Sequence, residues 1–157
     1  MTPHFTFSLL LIVGLFGCGE QSQDSTPLSF PSTHESSLQF HASFNNFLHN
    51  DLDIHVIEPD GTHLFIAQDE SESGAEISQD CNCNACSTQP HESIIWYQNR
   101  AGTGLYEIWV EASDACSSAV VESEFTLSVL EGDKLKASLN GKLSEGQSQV
   151  LYYQFSP

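Results

Sequence analysis

Residues 53–67 read DIHVIEPDGTHLFIA, and this segment decides the fold class. Apolar and polar residues alternate on both sides of its Pro-Asp-Gly step, which is the period of a β-strand with one buried face. If Pro59, Asp60 and Gly61 form a three-residue turn with Gly61 in the left-handed conformation, the two arms fold into a hairpin. The register predicted by the apolar residues pairs Val56 with Leu64 and Ile54 with Ile66. A shift of one residue would turn these side chains to the opposite face, so the pattern specifies the pairing.

The same alternation recurs along the rest of the chain. Further strands are predicted at residues 38–44, 93–97, 105–112, 122–130, 134–139 and 150–155. Turn-forming Gly, Asp, Asn and Pro separate these runs, and no stretch has the 3.6-residue period of an amphipathic helix over a sufficient length. About eight short strands at this spacing predict an all-β fold, an antiparallel β-sandwich.

Residues 69–91 lack this alternation, and we predict that they form one long loop without strands. The loop begins with the acidic run DESESGAEISQD (69–80) and continues with the cysteine-bearing run CNCNACSTQPH (81–91). Connections of this length in compact domains are usually functional or disordered. We therefore expect the chemistry or the cross-links of the domain to involve this loop.

The N-terminal residues 5–16 read FTFSLLLIVGLF, an uncharged apolar stretch shorter than the roughly 20 residues of a membrane-spanning helix. The stretch runs into Leu15-Phe16-Gly17-Cys18, which resembles the lipobox of bacterial lipoproteins. This resemblance implies that residues 1–17 are a signal peptide and that acyl chains on Cys18 hold the protein on a membrane. With Gly19 next, it implies the outer membrane if the cell is Gram-negative. The alternative is a buried apolar segment with Cys18 as a core thiol.

The chain from Cys18 onward divides into a tether and one domain. Residues 18–37 are rich in Ser, Gln, Thr and Pro, which predicts a disordered, flexible tether, and residues 38–157 are predicted to form the sandwich. The chain has 4 basic and 21 acidic residues and a formal net charge of -17. Such a polyanion repels phosphate backbones, so we exclude nucleic acid as a partner. The charge favours solubility or the binding of cations.

Three segments together resemble a known family. They are DLDIHVIEPDGTH from Asp51, PHESIIW from Pro90 and AGTGLYEIWVEASDAC from Ala101. Their order is similar to that of the YfaP-type envelope domain, a bacterial family of unknown function, over residues 51–130. A more distant likeness is to bacterial pre-peptidase C-terminal domains, some of which bind calcium. Both resemblances imply a β-sandwich accessory module that does not itself catalyse a reaction.

Four cysteines follow the first predicted hairpin, namely Cys81, Cys83, Cys86 and Cys116. They could form two disulfides or a four-thiolate metal site, and an exported domain favours disulfides because its compartment is oxidising. Three connectivities are open. We predict that Cys116 is bridged to one of the three loop cysteines, which would stabilise the fold by about 3 to 4 kcal/mol in the chain-entropy model.

Asp51 and Asp53 alternate onto one face of their strand and are candidate calcium ligands. The acidic loop supplies further carboxylates close in sequence, namely Asp69, Glu70, Glu72, Glu76 and Asp80. Calcium takes six to eight oxygen ligands, but the chain has no EF-hand loop pattern. The alternative is that Asp51 and Asp53 cap the strand entry by hydrogen bonding to backbone amides. No other cofactor is expected.

The histidines and the motif content favour a binding protein over an enzyme. In the predicted hairpin, His55 and His63 are diagonal neighbours, and we interpret them as surface histidines on a β-face and not as metal ligands. The sequence contains neither a Gly-x-Ser-x-Gly elbow nor a His-Glu-x-x-His motif, so we do not expect catalysis.

Aromatic residues in the predicted strands either fill the core or form a ligand-binding face. They are Trp96, Tyr97, Tyr106, Trp109, Tyr152, Tyr153 and Phe155. Alternation in residues 105–110 places Trp109 beside Glu107 and opposite the apolar residues, so Trp109 is the candidate for a partly exposed ligand-contacting ring.

These observations together predict a lipid-anchored envelope lipoprotein with a non-catalytic β-sandwich that binds a partner or has a structural role. An envelope polymer or a protein is the expected partner, besides the membrane reached through Cys18. The alternatives are a calcium-dependent adhesion or carbohydrate-binding module and an accessory domain of a secreted hydrolase system.

Overall fold

The computed structural model of the chain describes residues 36–83, 86, 90–117 and 121–157. The predicted signal peptide, Cys18 and the tether as far as residue 35 lie outside the described residues. Ten strands and no helix are found in the described part. The strands are β1 (Ser36–Phe44), β2 (Asn50–Ile57), β3 (His63–Leu64), β4 (Ala75–Gln79), β5 (His91–Tyr97), β6 (Gly104–Ala115), β7 (Ser123–Glu131), β8 (Lys134–Leu143), β9 (Gly146–Gln147) and β10 (Leu151–Phe155). Among these residues no helix is long and apolar enough to cross a membrane.

The strands form two antiparallel sheets that pack face to face, so the predicted all-β sandwich is confirmed. The first sheet has the strand order β4-β5-β1-β7-β8, which leaves β4 and β8 at its edges. The second sheet has the order β10-β6-β2-β3, with the short β9 also paired to β6. β1 begins at Ser36, two residues inside the predicted tether.

The core lies between the sheets and consists of every second residue of the long strands, as the period-two pattern requires. Its fully buried side chains include Leu38, Phe40, Ile54, Val56, Ile94, Ile108, Val110, Leu127 and Val129. The rings of Phe40, Trp96 and Tyr106 meet edge to face at the centre, with centroids 5.3 to 5.5 Å apart. This geometry is the preferred one for aromatic pairs.

The predicted hairpin is confirmed near its turn and wrong beyond it. Val56 pairs with Leu64 as expected, but Ile54 does not pair with Ile66. The cause is a tight turn from Phe65 to Gln68, whose backbone groups hydrogen-bond to each other in both directions and end β3 at Leu64. Ile66 is therefore 45% exposed. The edge of β2 before Val56 is left without a strand partner on that side.

The acidic run was predicted to be a loop, and this is wrong for residues 75–79, which form β4. β4 pairs with β5 at the edge of the first sheet, with Ala75 opposite Trp96 and Ile77 opposite Ile94. Ala75 is buried and Ile77 is half-buried, whereas Glu76 between them is exposed. Two alternating apolar residues are thus sufficient for an edge strand even in a strongly acidic segment. β4 and β9 raise the number of strands from about eight to ten.

Candidate functional site

Both candidate sites are centred on β2. Its residues Asp51, Asp53 and His55 alternate with the core residues of the same strand and are nevertheless 6 to 8% exposed. Buried acids and imidazoles lose favourable hydration, so each such group requires a local partner. The partners differ along the strand: carboxylates surround Asp51 and Asp53, and aromatic rings surround His55.

The first candidate site is the carboxylate cluster, which we define as Asp51, Asp53 and Glu92. One carboxylate oxygen of each residue lies within 4.8 Å of the others. Glu92 belongs to β5 of the first sheet and reaches across to the unpaired edge of β2. Its Oε2 accepts the backbone N–H of Ile54 at 2.8 Å, and its Oε1 accepts the backbone N–H of Cys81 at 3.3 Å.

Burial controls the protonation of the cluster. Burial, and to a smaller extent the neighbouring charge of Asp53, raises the pKa of Glu92 to about 9, against the opposing effect of the two backbone hydrogen bonds. Burial also raises the pKa of Asp53, while a hydrogen bond from the Ser113 hydroxyl opposes the shift. Neither a lysine nor an arginine is among the described groups that shift these two pKa values. Because its pKa is about 9, Glu92 is protonated at neutral pH.

The sequence predicted only part of this cluster. The structure brings Asp51 and Asp53 together, as their alternation suggests, but the loop acids Asp69, Glu70, Glu72 and Glu76 are exposed and not part of it. Asp80 is not part of the cluster either, but its charge helps to raise the pKa values of Asp53 and Glu92. Glu92 was missed, although an acid inside the apolar run of PHESIIW was a signal that it had a buried partner.

Two cross-links hold the loop that borders the carboxylate cluster. Cys81 is paired with Cys86, and Cys83 is paired with Cys116, with Cα atoms 5.0 and 5.3 Å apart. Both predicted disulfides are therefore present, and Cys116 is bridged to the loop as expected. The second bridge joins this loop to the end of β6. Cys81, whose amide donates to Glu92, lies two residues before Cys83 of this bridge.

The second candidate site is the ring cluster, which we define as His55, His63, Phe65 and Trp109. β3 and β6 flank β2, so His55 stacks on Phe65 on one side and on Trp109 on the other. The centroid distances are 5.4 and 5.1 Å, and the rings are within 9° and 13° of parallel. His63 contacts Phe65 at 4.8 Å and Trp109 at 5.2 Å.

Polar contacts link His55 to His63 and to Glu111. His55 Nδ1 lies 3.1 Å from His63 Nε2, and His55 Nε2 lies 3.4 Å from the Glu111 carboxylate. Burial lowers the pKa of His55, and the Glu111 charge only partly opposes this, so His55 is neutral at pH 7. The interpretation of His55 as a surface histidine is therefore wrong, because the flanking rings cover it. His63 is a diagonal neighbour, as predicted, but is in direct contact.

The candidate ligand-contacting ring, Trp109, is half-buried on the outer face of the second sheet. Its indole N–H is enclosed and has no hydrogen-bond acceptor among the described residues. Tyr152, which is 60% exposed, lies opposite Glu107 in the neighbouring strand and so shares this face. Of the other aromatic candidates, Trp96, Tyr106 and Phe155 are buried in the core, the alternative that the sequence left open.

Comparison of the chain with protein-family models, with curated proteins and with solved structures finds no match. The resemblance of residues 51–130 to the YfaP-type domain and to pre-peptidase C-terminal domains therefore remains a prediction. The features of this chain that bear on function are its paired cysteines and the two clusters centred on β2.

Proposed function

We propose that this protein is a lipid-anchored lipoprotein of the cell envelope whose β-sandwich is a non-catalytic binding module. The pairing of the cysteines carries the proposal. The chain has five cysteines, and four of them form the two bridges of the sandwich, which leaves Cys18. Disulfides persist in oxidising compartments outside the cytoplasm, so this pairing supports export.

The position of Cys18 explains why it is not one of the four cysteines that form the two bridges. It follows the apolar residues 5–16 and ends the lipobox-like sequence Leu15-Phe16-Gly17-Cys18. A thioether to lipid there would remove the free thiol, and several acyl chains would keep the protein on the membrane. Residues 18–35 would then separate the sandwich from the bilayer. Gly19 favours the outer membrane if the cell is Gram-negative.

The outer face of the second sheet is the proposed binding surface. It combines the half-buried Trp109 and His63 with the exposed Tyr152, and the carboxylates of Glu107 and Glu111 lie beside them. Aromatic rings next to hydrogen-bonding groups suit a polar polymer with apolar faces, such as an envelope polysaccharide.

Acylation tests the anchor. The full chain is produced in a bacterial host fed an alkyne-bearing fatty acid, and label and membrane recovery are measured. We expect wild type and the tether control Ser22→Ala to be labelled and to sediment with membranes, whereas Cys18→Ser is unlabelled. An unlabelled wild-type chain that keeps its initiator methionine in the soluble extract would overturn the anchor.

Retention on insoluble cell-wall polysaccharide tests the binding surface. Tyr152→Ala and Leu135→Ala form a matched pair, because Tyr152 is 60% exposed on the second sheet and Leu135 is 61% exposed on the first. We expect Tyr152→Ala to reduce retention at least threefold and Leu135→Ala to leave it unchanged. Equal retention of both variants and of Trp109→Ala would contradict this surface.

A calcium-dependent module is the second candidate function, and the convergence of Asp51, Asp53 and Glu92 favours it. Three carboxylates offer up to six oxygens, the lower limit of the calcium coordination number, and carboxylate oxygen is the ligand type that calcium prefers. Because Glu92 is protonated at neutral pH, calcium has to displace its proton. Binding would therefore release protons and become tighter as pH rises.

Thermal unfolding and proton release test this candidate together. Calcium should raise the Tm of the wild-type protein relative to EDTA, since a ligand that binds only the folded form stabilises it. It should also acidify a weakly buffered solution. Asp53→Asn should abolish both effects, whereas Glu72→Gln in the exposed loop should keep them. A wild-type Tm that millimolar calcium does not change would rule the candidate out.

A further inference from the structure

The two imidazoles of the ring cluster have the spacing of a metal chelate. His55 Nδ1 and His63 Nε2 are 3.1 Å apart. A metal ion about 2.0 to 2.1 Å from each of two imidazole nitrogens holds them about 2.9 Å apart at a right angle and about 3.4 Å apart at the tetrahedral angle. The observed distance lies between these limits, so one ion can bind both nitrogens after a small rotation of the rings.

We propose that His55 and His63 chelate a divalent transition-metal ion through His55 Nδ1 and His63 Nε2. Imidazole nitrogen suits copper, nickel and zinc, and the usual order of affinities makes Cu²⁺ the tightest of the three. The two histidines supply two ligands, and water or an external ligand completes the coordination. The proposal requires neither the lipid anchor nor calcium at the carboxylate cluster.

Glu111 prepares His55 for this role. Its carboxylate lies 3.4 Å from His55 Nε2, and this negative charge favours the tautomer that carries its proton on Nε2 and leaves the lone pair on Nδ1, the atom that faces His63. Metal-binding histidines usually have a carboxylate or carbonyl next to their second ring nitrogen, which helps to fix the tautomer and orientation of the ring. Glu111 is thus a positioning residue and not a ligand.

Stacking fixes the orientation of the imidazole rings, and the negative charge of the protein favours the binding of a cation. Phe65 and Trp109 lie within 13° of parallel to His55 on its two sides, so little side-chain entropy is left to lose when a metal binds. His63 is half-buried and open to solvent on one side, and the net charge of -17 raises the local concentration of cations.

Fluorescence of the tag-free full chain at pH 7 tests the proposal. The chain has two tryptophans, and Trp109 lies 5.1 and 5.2 Å from the two imidazoles. Bound Cu²⁺, which is paramagnetic, should quench Trp109 and saturate at one ion per chain. Zn²⁺ should compete without quenching. Trp109→Phe, which keeps a stacked ring, should remove the quenching while electron paramagnetic resonance still shows two nitrogen ligands on Cu²⁺.

Matched variants separate the site from general cation binding by an acidic protein. We expect His63→Ala to weaken Cu²⁺ binding at least tenfold and Glu111→Gln to weaken it to a smaller extent. His49→Ala is the control, because His49 hydrogen-bonds to Ser117 outside the ring cluster. Equal affinity of His63→Ala and His49→Ala, or a copper spectrum with fewer than two nitrogen ligands in the wild type, would overturn the proposal. Circular dichroism checks that each variant is folded.

Discussion

Glu92 of the first sheet accepts the backbone N–H of Ile54 in the second sheet, at 2.8 Å. This bond lies where β2 has no neighbouring strand, because the hairpin ends at Leu64. Glu92 thus takes the place of a missing strand, and the edge amide of Ile54 is satisfied by a side chain that crosses between the sheets. A buried N–H without any acceptor would destabilise the fold by about 1 to 3 kcal/mol.

The protonation of Glu92 makes the stability of the domain depend on pH. Its pKa is about 9 in the folded protein and 4.5 in an unstructured chain, so between these values the folded state holds a proton that the unfolded state has lost. Its contribution to stability is therefore complete below about pH 4.5 and decreases as pH rises toward 9. We expect the urea midpoint to fall from pH 5 to pH 9 in the wild type and in Glu72→Gln. Glu92→Gln should show a smaller fall, and an unchanged pH dependence in this variant would contradict the assignment.

The two disulfides should differ in their effect on stability. Cys83 and Cys116 are 33 positions apart, whereas Cys81 and Cys86 are 5 apart. The chain-entropy model gives about 4 kcal/mol for the longer loop and about 2 kcal/mol for the shorter one. Replacing each pair by alanines and comparing urea unfolding tests the order. A larger loss from the Cys81 and Cys86 pair would show that local strain or contacts outweigh loop entropy.

Phe40 is the central ring of the core. It is fully buried and contacts both Trp96 and Tyr106. Phe40→Ala should lower the free energy of unfolding by about 3 to 5 kcal/mol, because it removes apolar contacts and leaves a cavity. Leu135→Ala, at a residue that is 61% exposed on β8, serves as the control and should change it little. A loss below about 1 kcal/mol in Phe40→Ala would mean that the core is not packed as described.

Gly141 leaves room for the ring of Phe125 on the adjacent strand. A Cβ atom at Gly141 would come within 2.6 Å of this ring, which lies directly opposite in the β7 and β8 register. Gly141→Ala should destabilise the protein by about 1 to 3 kcal/mol, the usual cost of overpacking. Ser138→Ala, at an exposed position of the same strand, should have a much smaller effect. Thermal unfolding of both variants measures the difference, and equal Tm values would refute the contact.

The strands could be predicted from local patterns, whereas the contacts between sheets could not. Alternation and the Pro-Asp-Gly turn correctly pair Val56 with Leu64. The turn that begins at Phe65 contains neither Gly nor Pro, so nothing in the local sequence indicated that β3 would stop and leave Ile66 exposed. The many carboxylates of residues 69–80 likewise concealed the short apolar alternation of β4.

The same limit applies to the candidate sites. Asp51 and Asp53 were predicted to lie together because they are two residues apart on one strand. Glu92 lies 38 positions from Ile54 and belongs to the other sheet, so its contact depends on how the sheets pack. The contact between His55 and His63 could not be predicted either. It depends on where β3 ends and on the stacking of Phe65 and Trp109 on His55, and these residues come from different segments of the chain.

β8 forms one edge of the first sheet and carries three of the four basic residues of the chain, Lys134, Lys136 and Lys142. Exposed strand edges are templates for intermolecular β-pairing, and lysines discourage it because a second copy would have to bring like charges together. Molecules crowded side by side would therefore resist joining into continuous ribbons through β8. Neutralising these lysines should make the protein more prone to fibril formation at high concentration.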